Sequence, residues 1–424
     1  MSLPLNRRDF DVFISHAHKD QAFVSQLDRW LTEKVGFKVW YDARELGGGS
    51  LLATDLQGAI ERCRGILLIA SEEALSSGWV KAEYNCAMDE RANQEGFRVV
   101  ALRVAKANPK DLMRGTTWID LDQPQLDPNA ALAIIRAFYP GEKLPNPSSA
   151  RDVYISCSWQ SADNSSGHAV CRVLTEQGFR MIGDAKDQAG FGNGNRVERI
   201  IASCGAFVGI VPFRGATEAR ADADPYKYFM READFAARLG LPSVIVADPR
   251  ITRADGPSDA WMRMDTDATE CLGALEESLG ALWERWVSPP EPQYIFYAVD
   301  LESSTAASGS PVRHIIERIT GMPVVVGNEV QGNALHLAIA QKISDAFLVL
   351  ADISDDNVNA CIEAGMGLAA GTNVRLIGRG KPRNPPFMLR GAGQFETYTD
   401  EVEQIGVLHK SLRPYRRRVI NSEM

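Results

Sequence analysis

Trp79 and Glu83 stand four residues apart, shortly after the apolar run Ile66 to Ala70. On a helix that spacing puts both side chains on one face. A strand followed by such a helix places the pair at the carboxyl edge of a sheet, where strand ends and loops leave a crevice for ligands. A carboxylate fixed there stabilises the positive charge that develops on a sugar as its glycosidic bond breaks, as glycosidase carboxylates do. Trp79 could stack on a flat ring, and Phe13, Ser15 and Ser71 fall at the ends of predicted strands where they could line the same crevice. The bland alternative is a core tryptophan beside a solvated glutamate, with Phe13 and Ser15 as ordinary core residues of a strand.

Two further groups carry chemical potential. Gly190-Phe191-Gly192-Asn193-Gly194-Asn195 could cradle a phosphate or form a plain flexible loop, and Glu232 has no tryptophan four residues before it. Asp352-Ile353-Ser354 is followed by Asn357, Asn359, Glu363, Gly365 and Gly367. Between Asn373 and Gln394 every charged residue is basic: Arg375, Arg379, Lys381, Arg383 and Arg390. That run is either a solvated surface or an anion-binding cleft, since arginine forks match phosphate geometry.

The elements that must position these residues are written three times. Asp11-Val12-Phe13-Ile14-Ser15 recurs as Asp152-Val153-Tyr154-Ile155-Ser156, an offset of 141 residues. Gly36-Phe37-Lys38 is answered by Gly178-Phe179-Arg180, Asp42-Ala43 by Asp184-Ala185, and Ile60 with Cys63 by Ile201 with Cys204. A third step reaches Tyr294-Ile295-Phe296-Tyr297 and then Phe347 to Ala351. Short apolar runs alternate with stretches of helical periodicity, which predicts an α/β fold: three consecutive flavodoxin- or Rossmann-like units with parallel sheets. The expected boundaries are 1–140, 150–288 and 292–424, with linkers around Pro140 to Pro147 and Pro289 to Pro292.

The 424 residues, 45% hydrophobic and 24% charged, have ample apolar material for several cores. A net charge of −9 argues against coating a nucleic-acid duplex. Seven scattered cysteines include no CxxC pair and no spacing with histidine suited to a metal, so no metal is expected and the thiols read as reduced core residues. His16 and His18 read as exposed loop histidines. The polar N-terminus and the lack of a long uncharged apolar run predict a cytoplasmic chain without a membrane partner.

Taken in order, Asp11 to Asp20 (DVFISHAHKD), Val39-Trp40-Tyr41-Asp42, the glycine-rich loop Leu46 to Gly49, and Ser71 through Trp79 to Glu83 resemble the TIR pattern over residues 9 to about 122. The resemblance implies that the first unit is a TIR domain and that Glu83 is the catalytic carboxylate, as in family members that hydrolyse NAD+. NAD+ would be the substrate, with no cofactor. Arg44 and Leu46, on the loop that rearranges on assembly, would meet substrate or partner. Val80 stands where many relatives have cysteine, and three successive glycines are unusual in that loop.

Residues 320 to 380 of the third unit resemble nucleoside deoxyribosyltransferases and nucleotide-sensing relatives, which hold a ribose near a glutamate such as Glu363. The whole layout resembles bacterial antiphage effectors in which a TIR head is fused to a sensor of cyclic oligonucleotides of the SAVED or CARF type. That resemblance implies a cyclic oligonucleotide activator, with Arg199, Arg375, Arg379, Lys381 and Arg390 as candidate ligand contacts, and self-association of the heads. Two other readings stay open: a non-catalytic TIR scaffold, and a nucleoside or nucleotide glycosyl-transfer enzyme working through Glu363.

Overall fold

The structure is a computed structural model that describes residues 5, 8–41, 53–105, 107, 116–139, 151–157, 164–183, 194–213, 226–251, 261–263, 272–289, 294–332, 334–380, 385–392, 395–416 and 418–419. Arg44, Leu46, Gly47 to Gly49, Gly190 to Asn193, Lys381, Arg383, Cys271 and the expected linkers around Pro140–Pro147 and Pro290–Pro292 lie outside the described residues.

β1 (Val12–Ser15), β2 (Val39–Tyr41), β3 (Gly65–Ala70), β4 (Arg98–Val104) and β5 (Thr117–Leu121) form a parallel sheet in the order β2-β1-β3-β4-β5. β6 (Arg151–Ser156), β7 (Phe179–Gly183), β8 (Ala206–Val211), β9 (Ser243–Ala247) and β10 (Trp261–Arg263) repeat that order, as do β11 (Ile295–Ala298), β12 (Val324–Val325), β13 (Leu348–Asp352), β14 (Asn373–Arg379) and β15 (Phe395–Tyr398). Each sheet therefore has the flavodoxin-like order 2-1-3-4-5, with its switch point between the first and third strands. The triple α/β architecture expected from the recurring strand openings is present. A short strand at the end of the chain, β16 (Arg418–Val419), adds antiparallel to β7, so the second sheet has a sixth strand contributed from beyond the third.

The central strands explain the continuous apolar runs. Gly65-Ile-Leu-Leu-Ile-Ala, β8 and β13 are buried at every position, as parallel strands covered on both faces must be. Side chains alternate between two cores. Ile66 and Leu68 pack in a cluster private to the first unit, with Phe13, Trp40, Val80 and Ala87. Leu67 and Ile69 face a second cluster that also takes in Phe207 and Ile245 of the second sheet and Leu348 and Leu350 of the third. The second and third units likewise keep private cores on their other faces. One apolar core is thus shared by all three sheets.

The helices that matter for the site are α1 (Gln21–Arg29), α2 (Ala53–Glu61), α3 (Glu72–Ser76), α4 (Gly78–Asn93) and α5 (Pro128–Phe138) in the first unit. The second unit carries α6 (Asn164–Glu176), α7 (Gly194–Ala202), α8 (Lys227–Arg238) and α9 (Leu272–Arg285), and the third α10 (Pro311–Thr320), α11 (Leu335–Asp345), α12 (Val358–Ala369) and α13 (Glu401–Leu412). α1 continues into a π-helical turn, Trp30–Val35, that stops at Gly36 with φ +78°, a left-handed position that suits glycine.

That turn is where the first and third units join. The Trp30 indole N–H donates to the Val402 carbonyl at 3.0 Å, and the Lys34 ammonium donates to the Thr397 carbonyl at 3.0 Å and pairs with Glu403 at 3.2 Å. Gly406 lies so close beneath them that a Cβ would stand 2.9 Å from Lys34 Cβ, so the approach of the two helices requires glycine. His409, wholly buried, donates from Nδ1 to the Val35 carbonyl at 2.9 Å and meets the rings of Phe37 and Tyr139.

Burial, reinforced by the cations of Arg413 and Arg416 and only partly opposed by the Val35 hydrogen bond and Asp11, pushes the His409 imidazole down from 6.5 to about 3. Between those values the unfolded chain takes up a proton that the folded chain refuses, so this contribution to stability is lost as the pH falls below 6.5. Each pH unit inside that window is worth about 1.4 kcal/mol, so the wild type should lose about 2 kcal/mol more than His409→Gln on going from pH 7 to pH 5, read by denaturant unfolding at both values. Equal losses in the two proteins would contradict a neutral buried His409.

Candidate active site of the first unit

β3 ends at Ala70, and the chain turns at once into two capped helices. Ser71 caps α3 by accepting from the Ala74 N–H at 3.1 Å, and Ser77 caps α4 by accepting from the Val80 N–H at 3.4 Å. Two serines therefore fix where α4 begins and which face it turns to the sheet. Further along α4, Val80 and Ala87 enter the private core, and the Tyr84 hydroxyl meets Thr116 Oγ1 at 3.1 Å. Glu90 accepts from the buried Arg8, whose other nitrogen donates to the Cys63 carbonyl at 2.7 Å.

On this helix Glu83 is only 3% exposed. One of its oxygens accepts from the Ser15 hydroxyl, and the other accepts from the Trp79 indole N–H at 2.8 Å. Ser15 closes β1 and Leu68 of β3 is its register partner, so the carboxylate sits over the carboxyl edge at the switch point between β1 and β3. Trp79 lies one turn before Glu83 and keeps 41% of its surface in solvent while its polar edge is held inward. A buried carboxylate bonded through both oxygens is an oriented negative charge of low mobility, the arrangement that stabilises a cation forming beside it.

The other expected residues are placed as follows. Ser71, besides capping α3, donates to Asp20 Oδ2 at 2.7 Å and so ties the start of α1 to the end of β3. Phe13 is fully buried, its ring stacked on Trp40 at 4.6 Å between centroids. Ser15, Trp79 and Glu83 are thus brought into contact, Ser71 stands at the neighbouring strand end, and Phe13 forms the packing beneath. Asp20 was not singled out from the sequence; its only signal is its place at the end of the DVFISHAHKD segment.

In the third unit the Asp352 carboxylate ends β13 and accepts from the Ser354 hydroxyl, the Ser354 N–H at 3.1 Å and the Tyr398 hydroxyl at 2.7 Å. Burial nonetheless raises its pKa. Glu363, half-buried on α12, is raised to about 7 by burial alone, and a Cβ at Gly327 would stand 3.1 Å from its Oε1. The basic candidates occupy separate settings. Arg375 lies over the Tyr415 ring at 5.2 Å and Arg379 over Tyr398 at 5.9 Å. Arg390 is exposed, and Arg199, on α7, is half-buried within the field of Asp345. Among the described residues no cluster of His, Cys, Asp or Glu could hold a metal ion, and no helix is long and apolar enough to cross a membrane.

Residues 12–135 match the family model described as TIR domain, so the first unit is a TIR domain. Over 82 residues the chain is 30% identical to a probable 2′ cyclic ADP-D-ribose synthase, TcpO, of Methanobrevibacter olleyae, and over 76 residues 33% identical to an NAD(+) hydrolase, TcpA, of the Theionarchaea archaeon strain DG-70-1. These stretches cover 19% and 18% of this chain, which spans about a quarter of each relative, 24% and 23%. Among solved structures, the TIR domain of a Toll-related receptor from Hydra magnipapillata aligns over 30% of this chain and 98% of its own, at 16% identity and a TM-score of 0.27. The first unit therefore carries a TIR domain distantly homologous to TIR enzymes of NAD+.

Replacing Ser15 by Ala leaves a Glu83 oxygen buried without its hydroxyl donor, which costs about 1–3 kcal/mol. Chemical denaturation of Ser15→Ala should show a loss in that range. A change within about 0.5 kcal/mol, the size typical of a neutral surface substitution, would mean that the hydroxyl does not hold the carboxylate.

Proposed function

We propose that the first unit cleaves the nicotinamide–ribose bond of NAD+, with Glu83 as the catalytic carboxylate. The observation that carries this reading is the Glu83 carboxylate itself, buried at the carboxyl edge of a parallel sheet with one oxygen on Ser15 and the other on Trp79. The bond electrons leave with the pyridine nitrogen, so nicotinamide departs neutral and the positive charge falls on the ribose as an oxocarbenium ion. Glu83 stabilises that charge. Water then adds to the anomeric carbon and loses a proton, giving ADP-ribose; attack by a hydroxyl of the same molecule gives the cyclised product instead. Trp79, partly exposed beside Glu83, is the candidate surface for a flat ring of the substrate, and Arg44 and Leu46 are candidate contacts from the neighbouring loop.

The second and third units serve in this proposal as the regulatory part, binding a cyclic oligonucleotide and promoting self-association of the heads in antiviral defence. Regulation is required on chemical grounds, since an unrestrained NAD+ hydrolase depletes its own cell. Arg199, Arg375, Arg379, Lys381 and Arg390 remain its candidate ligand contacts. One observation favours a second reading: burial brings the Glu363 carboxyl to about 7, the range of a carboxylic acid able both to give and to accept a proton near neutral pH. That suits glycosyl transfer on a nucleoside through Glu363, with the first unit serving assembly.

The experiment is NAD+ consumption by the full chain with and without cyclic di- and trinucleotides. In Glu83→Gln it should fall by 10² or more, the loss typical of removing one charge-stabilising group, while Glu363→Gln keeps its turnover. Loss in Glu363→Gln alone would establish the second reading, and indifference to both substitutions would leave a scaffold.

A further inference from the structure

The three sheets share one strand order, and in each unit the long helix between the third and fourth strands carries a glutamate at the same place. Glu83 is the sixth residue of α4 (Gly78–Asn93), Glu232 the sixth of α8 (Lys227–Arg238) and Glu363 the sixth of α12 (Val358–Ala369). The agreement extends to packing, because the third residues of these helices, Val80, Phe229 and Ala360, are all buried. The second residue of α8 is Tyr228, which leaves 41% of its surface in solvent, the same fraction as Trp79 at the second place of α4. A tyrosine and a glutamate four residues apart thus stand in the second unit where the first has Trp79 and Glu83.

The strand end supplies a third member. Ser156 closes β6 in register with Gly209 of β8, as Ser15 closes β1 in register with Leu68 of β3. Ser156 is 2% exposed, yet its hydroxyl has no hydrogen-bond partner among the described residues, whereas the Ser15 hydroxyl donates to Glu83. Glu232 is nevertheless near: burial first, then Cys171 and the Glu232 carboxylate, push up the thiol of Cys157, the residue after Ser156. Glu232 is also only partly buried, where Glu83 is sealed. A buried hydroxyl without a partner costs free energy, and native folds rarely leave one without a reason. At a carboxyl edge, beside a partly open carboxylate and an exposed aromatic ring, the missing partner is a ligand that brings hydroxyls of its own. The vicinal hydroxyls of a ribose answer both needs at once, donating to the carboxylate and accepting from the serine, and the base attached to that ribose is flat.

We propose that the carboxyl edge of the second unit is a second nucleotide site, which holds a ribose between Ser156 and Glu232 with a flat ring on Tyr228 and does not cleave it. That the nucleotide is NAD+ rests on the function proposed for the first unit; that a ribose is held there does not. Cleavage is not expected because a forming oxocarbenium ion needs a fixed charge kept from water, and Glu232 is neither sealed nor held by the serine. Phe229, adjacent to Tyr228, lies in the apolar core shared by all three sheets, which puts the site in mechanical contact with the TIR domain.

The probe is NAD+, titrated calorimetrically into the full chain carrying Glu83→Gln, so that it is not consumed. One binding event should weaken about tenfold or more when Glu232→Gln is added, since a charge-assisted hydrogen bond is lost, and about threefold or more with Ser156→Ala, since a neutral one is lost. Without ligand, Ser156→Ala should melt no earlier than its parent, because deleting an unpaired hydroxyl removes a cost. The proposal is overturned if no NAD+ event responds to Glu232→Gln, or if Ser156→Ala lowers the ligand-free melting temperature by several degrees, the mark of a structural hydroxyl. NAD+ consumption that survives Glu83→Gln and disappears with Glu232→Gln would overturn the claim that the second site only binds. Failure of the first-unit reading shows separately, as a wild-type chain that does not consume NAD+, and a Glu232-dependent binding event would still support the second site in that case.

Discussion

A carboxylate removed from water must be given partners, because the low-dielectric interior otherwise penalises its charge by several kcal/mol. Glu83 meets that demand through a hydroxyl from β1 and an indole from its own helix, and much of the first unit follows from keeping those two donors in register with it. β1 and β3 must pair so that Ser15 reaches the carboxyl edge, and Ser71 and Ser77 must start α3 and α4 at fixed points so that Trp79 and Glu83 face the sheet. The Arg8–Glu90 pair and the Phe13–Trp40 stack secure the far end of α4 and the floor beneath the site. The crevice is thus held from the core outward.

The three units are more closely joined than their repeated topology alone requires. They share an apolar core, the last strand returns to the second sheet, and α13 of the third unit is gripped by the end of α1 through Trp30, Lys34 and the Val35 carbonyl. α1 begins beside the site, where the adjoining Asp20 bonds to Ser71, and its π-helical continuation ends in the seam. A displacement of α13 therefore acts on an element whose other end touches the strand that leads into α4. Under the proposed regulatory reading, that element is the physical route by which a ligand bound by the later units would reach Glu83.

The fold was legible because a period recurs: the DVFIS and DVYIS openings and their landmarks mark repeated α/β units, and continuous apolar runs mark central parallel strands, while the order of the strands came only from the structure. The pair Trp79 and Glu83 was legible from its spacing, since four residues on a helix make one face. What the spacing does not state is that two side chains already named for another purpose, Ser15 and Trp79, hold the carboxylate. Nor does it state that Phe13 points into the core while Ser15, two residues on, bonds at the strand end. The seam was invisible for a different reason: Trp30, Tyr139 and His409 are scattered over 379 positions of sequence, and only the packing of α13 against α5 and the end of α1 brings them together. The basic run after Asn373 read as one patch, yet Arg375 and Arg379 are stacked on different tyrosines about 13 Å apart along their strand, four residues at the usual rise.

The central claim is that Ser15 acts through Glu83, as the group that holds the carboxylate. A double-mutant cycle on the rate of nicotinamide release tests it most directly, with Ser15→Ala measured in the wild-type chain and again in Glu83→Gln. A positioning role predicts a clear loss in the first background and almost none in the second. Equal, additive losses in both backgrounds would show that Ser15 works independently of the carboxylate and would contradict the account.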